Sequence, residues 1–227
     1  MLGGFFLVDF LRPMFTVCCK PLSVRSNTIL GHSTGLNWHA FRTLSYMDLH
    51  KITLGGGCFW CTEAVFQAIT GVVSVTSGYT GGEIDNPTYA QICEGNTGHA
   101  EVVEVVYDAD TLSIDELLIV FFKTHDATTL NRQGNDVGTQ YRSVIYYHTD
   151  EQKQHAETMI KRLTEERVFD EPIVTEVTPA VKFYKAEDYH QNYFITNPLK
   201  PYCAFIIQPK LNKLAKQFSE RIKPELL

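Results

Sequence analysis

Cys58 and Cys61 stand in the run Gly55-Gly56-Gly57-Cys58-Phe59-Trp60-Cys61-Thr62-Glu63, where a thiolate could serve as nucleophile, redox partner or metal ligand. The apolar stripe Val65, Phe66 and Ile69 predicts a helix that starts at the first cysteine. Unpaired backbone N–H groups and the positive end of the helix macrodipole favour a thiolate there, so the Cys58 pKa is expected to fall. The glycines ahead of it allow another backbone or a ligand to approach closely. The plainer reading makes Cys58 a small buried hydrophobe beside Phe59 and Trp60. A purely structural cysteine, however, needs neither the glycines nor the helix start.

Three chemistries fit a cysteine so placed. The C-x-x-C spacing is half of a zinc site, but Cys93, His99 and Cys203 do not supply a second pair in sequence, and no metal is expected. A cysteine hydrolase could draw on His99, His125 or His190 as its base. A thiol-disulfide oxidoreductase would use Cys58 and Cys61 directly, although Phe-Trp between them is bulky. A binding module for oxidised peptides is a further alternative.

A carboxyl group joins the candidates through strand periodicity. In Glu101-Val102-Val103-Glu104-Val105-Val106-Tyr107, residues Glu101, Val103, Val105 and Tyr107 share one face. Glu101 enters from a polar loop, and desolvation by the valines would raise its pKa. The bland alternative places both glutamates in solvent at a sheet edge.

The elements that must hold these groups alternate along the chain. Lys51–Leu54, Val72–Tyr79, Glu101–Tyr107, Ser143–Tyr147 and Ile173–Val177 are expected strands. The capping box Ser113-Ile114-Asp115-Glu116 opens a helix whose Ile114, Leu117, Leu118, Phe121 and Phe122 form an apolar face. Thr149 or Asp150 caps a second, charged helix to about Arg167. Ala186 to Phe194 is expected helical, Tyr202 to Ile207 extended, and Leu211 to Ile222 a closing helix. The segments from Glu83 to His99 and from His125 to Arg142 are too long for plain turns and are expected to be functional.

Composition narrows the setting. A formal charge of −6 argues against a nucleic-acid or anionic-membrane surface, and no run of 18 apolar residues exists. Six cysteines, unevenly scattered in a chain of 227 residues able to bury a full core, suit a reducing compartment better than a disulfide framework. Residues 1–47 carry Arg12, Lys20, Arg25 and Arg42 against the single acid Asp9, without periodicity. They are expected to form a poorly ordered extension, either a targeting segment or a stretch ahead of a true start at Met47. Residues 48–227 are expected to form one α+β domain.

Several motifs then coincide. Gly57-Cys58-Phe59-Trp60 with Glu63, Gly78-Tyr79-Thr80-Gly81-Gly82, Asn86-Pro87-Thr88-Tyr89 and Gly98-His99-Ala100-Glu101-Val102-Val103 are followed by the run from Gly134 to Ser143 and by Asp188-Tyr189-His190-Gln191-Asn192-Tyr193. In this order, from about Lys51 to Phe218, they closely resemble the signatures of the peptide methionine sulfoxide reductases of the A type. The resemblance implies a two-layer α/β sandwich of the ferredoxin-like kind, with helices packed on a mixed sheet. It implies reduction of methionine S-sulfoxide, free or in oxidised proteins. By it Cys58 is the nucleophile, Glu101 the catalytic acid, Tyr89 and Tyr141 the hydroxyls that hold the sulfoxide oxygen, and Asp136 a buried polar support. Phe59 and Trp60 become the apolar wall for the substrate methyl group.

The chemistry accounts for these residue types. A sulfoxide is a poor electrophile until its oxygen takes up a proton, so a thiolate must face a neutral acid. Attack by Cys58 would release methionine and leave a sulfenic acid, which a second cysteine condenses to a disulfide. Cys61 and Cys203 both remain candidates for that step. Cys61 is close by helix geometry, whereas Cys203, which must arrive on a mobile tail, matches a recurrent resolving position and is preferred. Cys93 is taken as structural. No bound cofactor is implied; thioredoxin or another dithiol is the expected external reductant. A monomer in the cytoplasm is expected, with organelle targeting by residues 1–47 as the alternative.

Overall fold

The computed structural model describes residues 47–223, and the expectations for residues 1–46 lie outside the described residues. In chain order these form β1 (Leu49–Gly56), α1 (Phe59–Gln67), β2 (Val72–Thr80), α2 (Tyr89–Cys93), β3 (Ala100–Asp108) and α3 (Ile114–Thr124). A small hairpin follows, β4 (Arg132–Gln133) with β5 (Asp136–Val137), then β6 (Ser143–Tyr147), α4 (Asp150–Glu165), β7 (Glu176–Pro179) and β8 (Tyr184–Lys185). The chain continues through α5 (Tyr193–Thr196) to α6 (Gln208–Gln217).

One mixed sheet runs in the order β7-β6-β1-β3-β2-β8. β1 pairs antiparallel with β3 and with β6, β2 pairs antiparallel with β3, and only β6 and β7 among these neighbours are parallel. β1 and β2, joined through α1, therefore flank β3, and β3 and β6, joined through α3, flank β1. These are the interleaved split βαβ units of a ferredoxin-like α+β fold. Because β3 has a partner on each side, the sheet-edge reading of its glutamates is overturned. Glu101, Val103, Val105 and Tyr107 are all buried on one face. Glu104, on the other face, is half-buried and pairs with Lys51 at 3.0 Å.

Local rules explain the helices that cover the sheet. Ser113 and Glu116 exchange both capping-box hydrogen bonds, and α3 buries Leu117, Leu118, Phe121 and Phe122. Thr149 caps α4 by accepting from the Gln152 N–H, and α4 leaves its charged face in solvent.

Three expectations fail toward the C-terminus. The strand expected over Ile173–Val177 forms as Glu176–Pro179, where the parallel register with β6 supplies partners. The helix expected over Ala186–Phe194 is broken by a 3₁₀ turn at Asp188–His190 and by left-handed Asn192 (φ 55°), which restarts the chain as α5. Residues 201–217 are helical throughout, not extended over Tyr202–Ile207. Cys203, Ile207 and Leu214 recur at helical spacing and are buried together with the half-buried Leu211. A π turn over Cys203–Ile207 lies directly ahead of Pro209, whose ring would otherwise clash with the Phe205 carbonyl four residues back. The expected closing helix ends at Gln217, with a 3₁₀ turn at Ser219–Arg221 after it.

Candidate active site

Cys58 follows the end of β1 as the N-cap of α1, and its carbonyl accepts from the N–H groups of Cys61 (3.1 Å) and Thr62 (3.4 Å). Gly57 before it has φ +94°, and a Cβ there would lie 2.5 Å from the Gln133 side chain. The close approach that the glycines allow is thus made by the β4–β5 hairpin, which closes one side of the cysteine turn.

Glu101 comes to the same place from β3. Its Oε2 accepts a hydrogen bond of 3.1 Å from the N–H of Phe59, the residue after Cys58. Only 2% of Glu101 is exposed. Burial pushes its carboxyl up to about 8, against the lowering effect of the Phe59 N–H; negative charge at Asp136 and Cys61 adds to the rise. Glu101 is therefore a neutral acid at physiological pH, held beside the sulfur by the sheet and by the first turn of α1.

That same arrangement reverses the expectation for Cys58. The first free N–H of the helix is taken by Glu101, and the Cys58 thiol is pushed up, first by burial and then by contacts with Cys61 and Glu101. The lowered thiol is Cys61, brought down to about 7 chiefly by a hydrogen bond from Cys58 and further by Lys210 and Tyr202. The two thiols thus interact directly and share their ionisation.

Tyr89 and Tyr141 flank this pair. Tyr89 leads α2, a helix missed within the long polar loop although Thr88 and Gln91 form its capping box in sequence. Its N–H donates to Glu187 Oε1 at 2.9 Å, and its ring packs on His190. Tyr141 ends the 3₁₀ turn Thr139–Tyr141. Both are half-buried, and both hydroxyls resist ionisation, first through burial and then, among other contacts, through the charge of Glu101, so they remain donors.

The aromatic wall is layered. Phe59 is 1% exposed and packs on Tyr79 and His190, so it lies behind Trp60 and not at the surface. Trp60 is half-buried; Tyr193 stacks on it at 3.7 Å, and its Nε1–H donates to His190 Nδ1 at 3.1 Å. Glu63, fully buried, fixes Tyr193 by accepting from the N–H groups of Asn192 and Tyr193. Neither Glu63 nor Tyr193 was singled out from sequence as a site residue, because their partnership spans 130 positions.

A cleft of about 510 Å³ opens on the thiols from the helical side, lined in part by Cys58, Cys61, Gln133, Asp136, Tyr202 and Lys210. Asp136 is half-buried here, less enclosed than expected. Tyr202, which the sequence reading placed in a strand, lies between Cys61 Sγ (3.6 Å) and Asp136 Oδ2 (3.1 Å). Cys203 is buried in the cluster of Cys61, Ala64 and Ile207, in a helix and not on a loose tail. Cys93, taken as structural, is exposed at the end of α2 and interacts with Tyr89.

The three candidate bases of a hydrolase bond groups other than Cys58, although the His190 ring packs on Phe59 and Trp60 within the site. His99 bonds the Gly82 N–H and the Ile84 carbonyl, His125 bonds the Phe121 carbonyl and Ser143, and His190 accepts from Trp60. Among the described residues, a second thiol and a carboxyl stand at Cys58 where a hydrolase would need an imidazole. A helix-borne thiol pair facing a protonated carboxyl on a split βαβ sheet marks a thiol-dependent oxidoreductase.

The model of the family described as peptide methionine sulfoxide reductase matches residues 50–222, and the chain belongs to that family. A peptide methionine sulfoxide reductase MsrA of Acinetobacter baumannii (strain SDF) is 56% identical over 177 residues, covering 78% of this chain and all of the relative. One from Trichodesmium erythraeum is 55% identical over 174 residues, 77% of this chain and 98% of the relative. Among solved structures, Mxr1 of Saccharomyces cerevisiae in reduced form aligns with TM-score 0.63 and 35% identity over 68% of this chain and 89% of that one. Methionine sulfoxide reductase A of Corynebacterium diphtheriae aligns with TM-score 0.59 and 39% identity over 67% of this chain and 76% of that one.

Proposed function

We propose that the site reduces methionine S-sulfoxide, in oxidised proteins or free, by nucleophilic attack of Cys58 on the sulfoxide sulfur while Glu101 gives its proton to the sulfoxide oxygen. The observation that carries this reading is the Phe59 N–H to Glu101 hydrogen bond, which sets a buried, protonated carboxyl beside the nucleophile. Tyr89 and Tyr141, kept protonated by burial, supply further donors to the oxygen. Trp60, backed by Phe59, offers the substrate methyl group an apolar surface.

The S–O bond of the substrate breaks, the oxygen passes to Cys58 as a sulfenic acid, and methionine leaves. Cys61 resolves it first, because its sulfur already contacts that of Cys58 and is the more acidic of the two. Cys203 packs against Cys61 and would exchange with that sulfur in turn. An external dithiol of the thioredoxin kind returns the cysteines to thiols. Between turnovers all four described cysteines are free, which suits a reducing compartment such as the cytoplasm. Among the described residues no helix is long and apolar enough to cross a membrane.

Single-turnover release of methionine tests the acid. Glu101→Gln keeps the shape and the acceptor for Phe59 but carries no transferable proton, so the rate is expected to fall by roughly 10²-fold or more. Release at the wild-type rate would remove Glu101 from the mechanism. Discrimination between the two sulfoxide epimers in the same assay tests the stereochemical part.

A further inference from the structure

Resolution of the sulfenic acid needs a route for one proton, from the Cys61 thiol to the hydroxide that leaves Cys58. Glu101 is left ionised after donating to the substrate, and closure of the Cys58–Cys61 disulfide must both remove the Cys61 proton and protonate a departing hydroxide. Tyr202 is the group in contact with that chemistry. Its hydroxyl lies 3.6 Å from Cys61 Sγ and donates to Asp136 Oδ2 at 3.1 Å. It also interacts electrostatically with Cys58. It lines the cleft with both cysteines and Asp136.

We propose that the Tyr202 hydroxyl, oriented by the Asp136 carboxylate, is the proton shuttle for closure of the Cys58–Cys61 disulfide. This inference rests on the sulfoxide-reductase reading above. The Cys61 sulfur attacks the sulfur of Cys58–S–OH; an S–S bond forms as the S–O bond breaks, and the electron pair of that bond leaves with oxygen. The Cys61 proton passes to the Tyr202 oxygen, and the Tyr202 proton passes to the departing hydroxide, which leaves as water. No external reductant or oxidant enters this step, and Tyr202 ends as it began. Asp136 accepts from the hydroxyl, holds it beside the sulfurs and opposes the positive charge that passes through it.

Three features favour this over a packing role. The half-buried Tyr202 reaches the thiols from the helical turn directly ahead of the π turn at Cys203–Ile207, and it lines the cleft. Burial keeps the phenol from ionising, so it is available as a donor and returns to its protonated form. Cys61, brought down to about 7, gives up its proton readily.

The test is a rapid-quench single turnover with methionine S-sulfoxide and no reductant, following methionine, a sulfenic acid trap on Cys58 and free thiols together. Wild type is expected to release one methionine per chain and close the disulfide with little trapped sulfenic acid. Tyr202→Phe, which keeps the ring, should still release methionine but close the disulfide at least about tenfold more slowly, with trapped Cys58 accumulating. Asp136→Asn should slow closure relative to its own methionine release, though less than Tyr202→Phe does. Closure in heavy water should be slowed in wild type and less so in Tyr202→Phe, a difference that a loss of packing would not produce. Wild-type closure rates in Tyr202→Phe together with normal methionine release would overturn the shuttle alone. No methionine release from wild type would overturn the reductase reading and the shuttle with it.

Discussion

Glu101 reaches Cys58 from the middle of the sheet, whereas Cys61, Tyr202 and Cys203 reach it from helices, and the two approaches differ in what fixes them. On the sheet side, β3 is paired with β1 and β2, and a one-residue slip would turn Glu101 to the opposite face. Tyr79 sits opposite Glu101 in that register, and its own hydroxyl is bound by Glu187, which also holds Tyr89. On the helical side, the C-terminal segment is held by apolar contacts of Cys203, Ile207 and Leu214 and contains a π turn, while Phe205 (77% exposed) and Ile206 face solvent. Proton donation to substrate needs a fixed geometry. Disulfide exchange needs sulfurs that can change partners, and a segment packed through few residues can open locally without unfolding the sheet.

Substitutions can break this contrast at either end. The largest effect is expected for Cys58→Ser, which should bring methionine release down to the uncatalysed level while circular dichroism stays that of the folded protein. Cys61→Ser should leave methionine release measurable but slow the first disulfide by roughly 10²-fold or more, since the nearest sulfur is lost and its effective concentration with it. Cys203→Ser should change that first disulfide far less; mass mapping after one turnover reads the difference directly. If Cys203→Ser were the variant that trapped the sulfenic acid, the order of the two cysteines would be the reverse.

Smaller effects fall on the framework. Gly57→Ala forces a side chain into a left-handed backbone position against Gln133 and should cost about 1–3 kcal/mol in denaturant unfolding. Glu63→Gln keeps an acceptor but weakens the two bonds to Asn192 and Tyr193, an expected loss of about 1 kcal/mol that should also change the near-ultraviolet signal of Trp60.

The sheet side was also the more legible in the sequence. The two-residue period of Glu101–Tyr107 placed Glu101 on an apolar face, and the α3 capping box and β6 occur at the residues that spacing and composition indicate. These are local patterns that the tertiary structure reinforces. The helical side was misread at Tyr202–Ile207, where β-branched and aromatic composition suggested a strand although Cys203, Ile207 and Leu214 carry the helical repeat. The Cys58 thiol was misread for another reason. Helix position alone argues for a low pKa, but the Phe59 N–H that would stabilise the thiolate is claimed by a carboxyl 42 residues away, and burial then dominates. Tyr202 was not singled out, because its role depends on a contact with Asp136 across 66 positions.

The pH dependence of methionine release in a single turnover examines the acid most directly. A carboxyl pushed up to about 8 holds its proton below that pH and loses it as pH rises. Because the Cys58 thiol ionises above the Glu101 carboxyl, the wild-type rate should rise with pH up to about 8 and level off there, and Glu101→Gln should go on rising with thiol ionisation. A wild-type rate that goes on rising well above pH 8, or a levelling that persists unchanged in Glu101→Gln, would contradict a proton carried by Glu101.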